Sequence, residues 1–460
     1  MSEAQAAEGH ATQIPARRLA AYGAGAGVFE MLRAPGLAIL PSLYAKDFGF
    51  ALTTLSFVML WLRLSDAVMD PLVGYLSDRT RTRWGGRKPW IFASIFVFVP
   101  ACFLLYAPGE SPTLWLFVVA YFFYFMGWAM FDIPYTAWGA EVATSYEERS
   151  RLAVWRNLCM NVGLLLTALL PLLPWMSSTA MSFEVTTVTA YAMAVLYPLV
   201  IVMMMAVVPS GEVVVSRRDS SVRDTVKAIL GNAPMMIFLG VSLLSDLAVG
   251  IFSAMMFIFF DTYLGIGEYF ALIFITAIAV STLSLRLWQS VVERSSKRML
   301  LLVCLLLGAV QGASILVIDP GPLALPLFMA FLALYYIAAA GRDVALYAMI
   351  GDVVDHDTLH TGVNRAGQFT SAWMVLRKLA YALGPVIGFA VAGFLGYDPA
   401  SPHNDASAIF GLKSANGYLP ALLMALAAVL AFRFPITRER HRLIREQLEQ
   451  RAAALRGSEA

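Results

Sequence analysis

Apolar residues in this chain neither alternate nor keep to one helix face. They run on, with few interruptions, for long enough to cross about 30 Å of hydrocarbon at roughly 1.5 Å per helical residue. Polar or breaker residues part the runs, and the pattern predicts twelve membrane-spanning helices near residues 20–46, 53–77, 89–107, 113–140, 151–175, 184–208, 233–262, 268–290, 299–317, 322–350, 369–397 and 414–434. A helix apolar on all sides belongs in lipid or in a bundle core. The expected architecture is an all-α polytopic membrane protein.

Composition agrees, with 59% hydrophobic and 14% charged residues and a mean hydropathy of +0.69. That balance excludes an ordinary soluble domain. The net charge of +2 matters less than where the positive residues fall. Arg17 and Arg18, then Arg79, Arg81, Arg83, Arg87 and Lys88, then Arg149 and Arg151 precede the first span or occupy even-numbered connections. Arg217, Arg218, Arg223, Lys227, Arg294, Lys297, Arg298 and Arg365 continue the series, whereas the opposite connections hold little beyond Lys46 and Lys413. Counted this way, the positive-inside rule places both termini in the cytoplasm and requires an even number of spans. The expected location is the plasma membrane, for a bacterial chain the inner membrane. The first 18 residues are polar, so the first span reads as an uncleaved signal anchor.

The longest internal polar stretch leaves six spans on either side. It divides the chain into an N-terminal tail 1–19, a six-helix bundle 20–208, a cytoplasmic linker 209–232, a second six-helix bundle 233–434 and a C-terminal tail 435–460. Transporters duplicated in this manner bind substrate near the midplane and alternate access by rocking one half against the other. The basic connections GYLSDRTRTRWGGRKPW and LWQSVVERSSKRM are a faint echo of such a repeat. Residues 220–230 suit a short interfacial helix, and the mixed charges of the tail suit a solvated one. Gly23, Gly25 and Gly27, like Gly384 and Gly388, are spaced for close helix packing. Cys102, Cys159 and Cys304 lie inside spans without metal-ligand spacing and read as small core residues.

Charge inside these spans is where chemistry is expected. Asp66 and Asp70 lie one turn apart on one helix face, about 6 Å from each other, with Arg63 one turn before. An ionised side chain at the bilayer centre costs about 2.5 to 3.5 kcal/mol on insertion scales, so such residues pair, line a cavity or move ions. Two carboxylates this close cannot both be charged cheaply, while Arg63 favours charge. The pair is therefore a candidate proton or cation site; the competing possibility is a static salt-bridge network.

The run Gly74-Tyr75-Leu76-Ser77-Asp78-Arg79, followed by Gly85, Gly86, Arg87 and Lys88, resembles the loop signature of the major facilitator superfamily. With Asp66-x-x-x-Asp70-Pro71 before it and Lys88-Pro89-Trp90 after it, it is similar to the melibiose permease-like glycoside-pentoside-hexuronide:cation symporter family. YGAGAG at 22–27, Asp132-Ile133-Pro134, Asp352-Val353-Val354-Asp355 and Arg377-Lys378 extend the resemblance along most of the chain. It implies the major facilitator fold. It also implies cation coupling by Asp66, Asp70 and Asp132 and sugar contacts from Glu30, Asp132 and Arg156, with the family's helix-11 lysine at Lys378. Arg63 joins the coupling candidates by its place on the face of the aspartate pair, and Lys378 is a candidate for both coupling and substrate.

Where the resemblance implies an oxygen-bearing side chain in sodium-using relatives, this chain has Met69 and Ala129. A thioether and a methyl are poor sodium ligands, so the expected coupling ion is the proton, with sodium as the alternative. Trp128, Tyr135, Trp138 and Trp373 are candidate ring-stacking partners for a sugar, each of which could equally be packing. Arg33, Arg342 and Asp343 are further pocket candidates, and the two arginines raise the possibility of an anionic substrate unless they are paired locally. Asp246 could pair with Arg342 or Arg286, and Asp261 is expected to be wet at the outer end of its span. The loop arginines and Asp78 are expected to form helix-end contacts.

The expected activity is secondary active transport, a cation-coupled symport of a glycoside, oligosaccharide or hexuronide by alternating access. The alternative is a transporter of a lipid-like or zwitterionic solute. No H-E-x-x-H, G-x-S-x-G or phosphate-binding glycine loop occurs, so neither an enzyme nor a cofactor is expected. Partners are expected to be the small-molecule substrate and membrane lipids around a monomer, without metal or nucleic acid.

Overall fold

A computed structural model describes residues 14–143, 145–210, 222–294, 296–363 and 365–459. Residues 211–221 of the expected linker, Arg217 and Arg218 among them, lie outside the described residues, as do the first 13. Within them the regular structure is helical, and ten helices are long and apolar enough to cross a membrane.

The first unit comprises the described residues of Met1–Phe50, Val58–Ser216 and Glu268–Ala271. Its helices are α1 Ala16–Ala38, α2 Leu40–Phe48, α3 Leu52–Arg79, α4 Lys88–Tyr106, α5 Leu114–Val142, α6 Tyr146–Leu169 and α7 Phe183–Val207. The single first span expected from hydropathy is thus two helices. Pro41, near the start of α2, lacks the N–H that would continue the ladder across Ile39, and Pro35 inside α1 removes a rung one turn and more before it. Tyrosines satisfy carbonyls at the break: Tyr121 Oη donates to Gly36 O at 2.8 Å, Tyr124 Oη to Arg33 O at 3.1 Å, and Tyr106 Oη to Leu32 O. In a lipid-facing bundle such carbonyls have no water to turn to.

The second unit comprises the described residues of Ala51–Phe57, Arg217–Gly267 and Leu272–Ala460. It holds α8 Val222–Leu230, α9 Ala233–Ile258, α10 Phe270–Arg294, α11 Lys297–Ala313, α12 Ala324–Thr361, α13 Ala366–Phe394, α14 Ala406–Lys413, α15 Leu419–Phe432 and α16 Arg438–Glu459. The main helix pairs of the first unit are α1 with α6, α1 with α7, α4 with α5 and α4 with α7. Those of the second are α9 with α13, α9 with α15, α11 with α12 and α11 with α15. Counted by span, first with fifth, first with sixth, third with fourth and third with sixth recur in both. The pairing pattern is a far clearer repeat than the sequence echo.

Glycines set the closest approaches. On α1, Gly23 and Gly27 face Cys159 of α6, and on α13, Gly384 faces Gly250 of α9. A Cβ at 384 would lie 2.1 Å from the Gly250 carbonyl carbon, and backbone cannot yield as a side-chain tip can. We expect Gly384→Ala to cost about 3 kcal/mol or more through forced helix separation, read as lost monodisperse protein on size exclusion. Gly351→Ala, whose Cβ would meet nothing within 4 Å, serves as the control.

Two expectations need correction here. Asp261 is buried rather than wet: α9 ends in a π-helical turn, Phe259–Tyr263, that turns the carboxylate inward against Gly267, the residue whose missing side chain leaves it room. The C-terminal helix is not solvated all round. Ile444 of α16 is buried, Arg451 donates to Leu359 O at 2.6 Å, and His441 lies 3.1 Å from Asp355 and 3.2 Å from Asp352 at the end of α12.

Candidate functional site

In the first unit, Phe125, Trp128, Asp132 and Tyr135 follow one another on α5 at helical spacing, so they share a face. Two ion pairs rest on its upper half. Arg33 and Glu30, one turn apart on α1, form a two-pronged bridge at 2.7 and 2.6 Å, and the Arg33 guanidinium lies 5.2 Å from the Trp128 ring. Arg63 and Asp66 on α3 are 3.7 Å apart, with Arg63 4.4 Å above Phe125. Trp128 and Phe125 stack at 5.9 Å, so an aromatic pair carries both cations. Cation–π contacts gain strength where the cation is out of water. Asp70 is half-buried one turn beyond Asp66, ahead of Pro71.

On the lower half, Tyr135 stacks on Tyr22 of α1 at 4.2 Å, and each hydroxyl donates to the other's carbonyl at 2.9 Å. Arg156 of α6 lies 6.0 Å from the Tyr135 ring. Among the described residues neither Asp132 nor Arg156 has an ion-pair or hydrogen-bond partner, and the buried Arg156 Nε is unsatisfied. Both are half-buried within apolar helices. Trp138 borders this group edge-on to Tyr22 at 6.1 Å, but its polar contacts lie elsewhere: its indole donates to Pro209 O at 2.9 Å and its ring lies 5.2 Å from Lys88.

The second unit holds a four-charge network. Buried Arg342 meets Asp246 at 3.2 Å and Asp343 at 2.8 Å, and donates to Ser245 O at 2.9 Å. Arg377 of α13 meets the same two carboxylates at 3.3 and 2.8 Å. Ser242 donates to Asp246 Oδ2 at 2.6 Å and accepts from the Trp373 indole at 2.7 Å. Two guanidinium and two carboxylate groups thus neutralise one another. Lys378, the next residue after Arg377, is on the exposed side of α13.

The family described as MFS/sugar transport protein matches residues 21–438. The chain belongs to that family. Among its relatives are an uncharacterized symporter of Synechocystis sp., 25% identical and covering 85% of this chain and 88% of its own length, and the inner membrane symporter YicJ of Escherichia coli, 24% identical over 93% and 94%. A glucuronide carrier protein homolog of Escherichia coli is 22% identical over 95% and 96%. The solved nucleoside transporter NupG shares the fold, with a TM-score of 0.64 at 13% identity over 91% of this chain and 98% of that one. These matches make the chain a glycoside-pentoside-hexuronide:cation symporter family member of the major facilitator superfamily, a multi-pass inner-membrane protein.

The symporter loop signature folds around Arg87, which bonds Asp78 at 2.5 Å, Glu141 at 2.8 Å and Ser77 Oγ at 3.0 Å. Burial works against its charge, but the hydrogen bonds to Glu141 and Asp78 outweigh burial and hold its pKa above the ordinary value. Arg79 lies over Tyr75 at 4.1 Å, and Lys88 donates to Met205 O and Val208 O, tying the start of α4 to the end of α7. Gly74 sits in ordinary contact with Ile133, 3.8 Å from where its Cβ would be. Glu141, Phe125, Tyr22 and Ser242 were not singled out from sequence. Glu141 alone carried a signal, an acid closing an apolar span opposite a basic loop.

Proposed function

We propose that this chain is a proton-coupled symporter that carries a glycoside, oligosaccharide or hexuronide inward by alternating access, through twelve spans with both termini cytoplasmic. The observation that carries the reading is Asp132 and Arg156, half-buried in apolar helices beside the Tyr22–Tyr135 stack and without a polar partner among the described residues. A charge so placed costs free energy unless something hydrogen-bonds it. Sugar hydroxyls can supply both the donor for Asp132 and the acceptor for Arg156, while a sugar ring finds an aromatic face at Tyr135. Arg33 and Arg342 already meet carboxylates, so Arg156 is the natural contact for a uronide carboxylate. Asp66 and Asp70 serve as the coupling pair. Met69 between them and Ala129 before Asp132 offer no hard oxygen, which favours the proton over sodium. The chain performs no bond chemistry and uses no cofactor in this reading.

The test is uptake of a labelled panel of neutral glycosides and uronides into vesicles. A proton gradient at fixed sodium should drive uptake, and a sodium gradient at constant pH should not; the reverse outcome rejects proton coupling. Asp132→Asn and Arg156→Lys should each raise the half-saturating concentration about tenfold or more, the loss of one charged hydrogen bond. Competition by lysolipids but not by sugars would overturn the substrate class.

A further inference from the structure

The loop between α3 and α4 frames two adjoining cavities in the first unit. One, of about 380 Å³, is lined by Arg81, Arg83, Arg87 and Lys88. The other, of about 390 Å³, is lined by Phe92 of α4 and Val202, Met205 and Ala206 of α7. Arg83, Trp84, Lys88 and Ser210 line both, so the two adjoin. The place is a membrane face, since α4 begins at Lys88 and α7 ends at Val207. Below it Phe92, Phe96 and Val202 descend the flanks of these helices, with Phe96 and Val202 exposed.

The cations differ in how they are held. Arg87 is tied to two carboxylates and Lys88 to two carbonyls. Arg81 reaches only backbone carbonyls and Arg83 only the Trp84 ring, at 5.6 Å; among the described residues neither meets a carboxylate. Trp84 is half-exposed, its ring edge-on to Phe92 at 6.1 Å and its carbonyl held by Ser210 Oγ at 3.0 Å. A fixed tryptophan between a basic recess and an apolar groove is the arrangement that interfacial aromatics adopt at headgroup depth.

We propose that this corner binds an anionic phospholipid, with the phosphate between Arg81 and Arg83 near Lys88 and one acyl chain along Trp84, Phe92 and Val202. A soluble anion would leave the apolar groove empty, and a zwitterionic lipid would leave the two arginines without net countercharge. Basic recesses beside membrane helices recognise anionic headgroups in this manner, and guanidinium groups hold phosphate with two parallel bonds.

The full-length chain in phosphatidylcholine nanodiscs doped with brominated phosphatidylglycerol or brominated phosphatidylcholine tests this. Trp84 is one of ten tryptophans, so its share of the quenching is the difference between wild type and Trp84→Phe. That share should be larger with the brominated anionic lipid, and the lipid concentration for half quenching should rise about fivefold for each of Arg81→Gln and Arg83→Gln. Thermal unfolding of each variant confirms that it is folded. Equal quenching by both lipids, or a preference that survives the double variant, overturns the proposal. So does displacement by equimolar glycerol 3-phosphate, which would mark a site for a free phosphate.

Discussion

Asp70→Asn is expected to abolish accumulation of substrate against its gradient while leaving counterflow exchange intact. One proton moved per substrate draws about 2.3 kcal/mol from a 100 mV potential, enough for about fifty-fold accumulation. A chain that binds substrate but no longer loads the proton can only equilibrate, so the ratio in the variant falls to about one. Asp66 is held 3.7 Å from Arg63, which itself lies on Phe125. Neutralising Asp66 disturbs that contact as well as the charge. The measurement is labelled substrate in vesicles under an imposed potential, with counterflow as the parallel assay. Wild-type accumulation by Asp70→Asn would exclude a coupling role, and joint loss of accumulation and counterflow in folded protein would make Asp70 a substrate contact or a structural lock.

Much of this was legible in sequence because it depends on local spacing. The Glu30–Arg33 and Arg63–Asp66 bridges are neighbours one turn apart on a single helix, and their pairing follows from helix geometry. Asp246 with Arg342 was legible as one of two choices, since a buried acid needs a base and few were in reach. What required the fold is rotational. Arg377 and Lys378 differ by about 100° around the helix axis, and only tertiary placement turns Arg377 toward Asp246 and leaves Lys378 exposed. Phe125 stood in the aromatic run Tyr121 to Phe125, where nothing marks one ring above another until Arg63 lies on it. Asp261 was misplaced because a π-helical turn adds a residue to the count and rotates everything after it. Trp138 looked like Trp128 in sequence, yet ten residues further along α5 it meets Pro209 and Lys88 rather than the ion pairs.

Arg342→Leu is expected to destabilise the protein by about 3 to 5 kcal/mol, the usual consequence of leaving half a buried ion pair behind. The residue that bears the cost is Asp246, 2% exposed, which would retain Arg377 at 3.3 Å and the Ser242 hydroxyl at 2.6 Å but lose a guanidinium that is itself only 3% exposed. Adding Asp246→Asn removes the stranded charge and leaves Arg377 with Asp343 at 2.8 Å as a balanced pair, so the double variant should recover most of the lost stability. Thermal unfolding of the single and double variants in one detergent reads the difference. Transport then separates two roles for the network that stability cannot. If Arg342 only balances Asp246, uptake returns with the fold in the double variant; if Arg342 also contacts substrate, the double variant folds and stays inactive. A single variant as stable as wild type would mean that Arg377 and Ser242 hold Asp246 without Arg342, and the Arg342–Asp246 contact would then not be a structural lock.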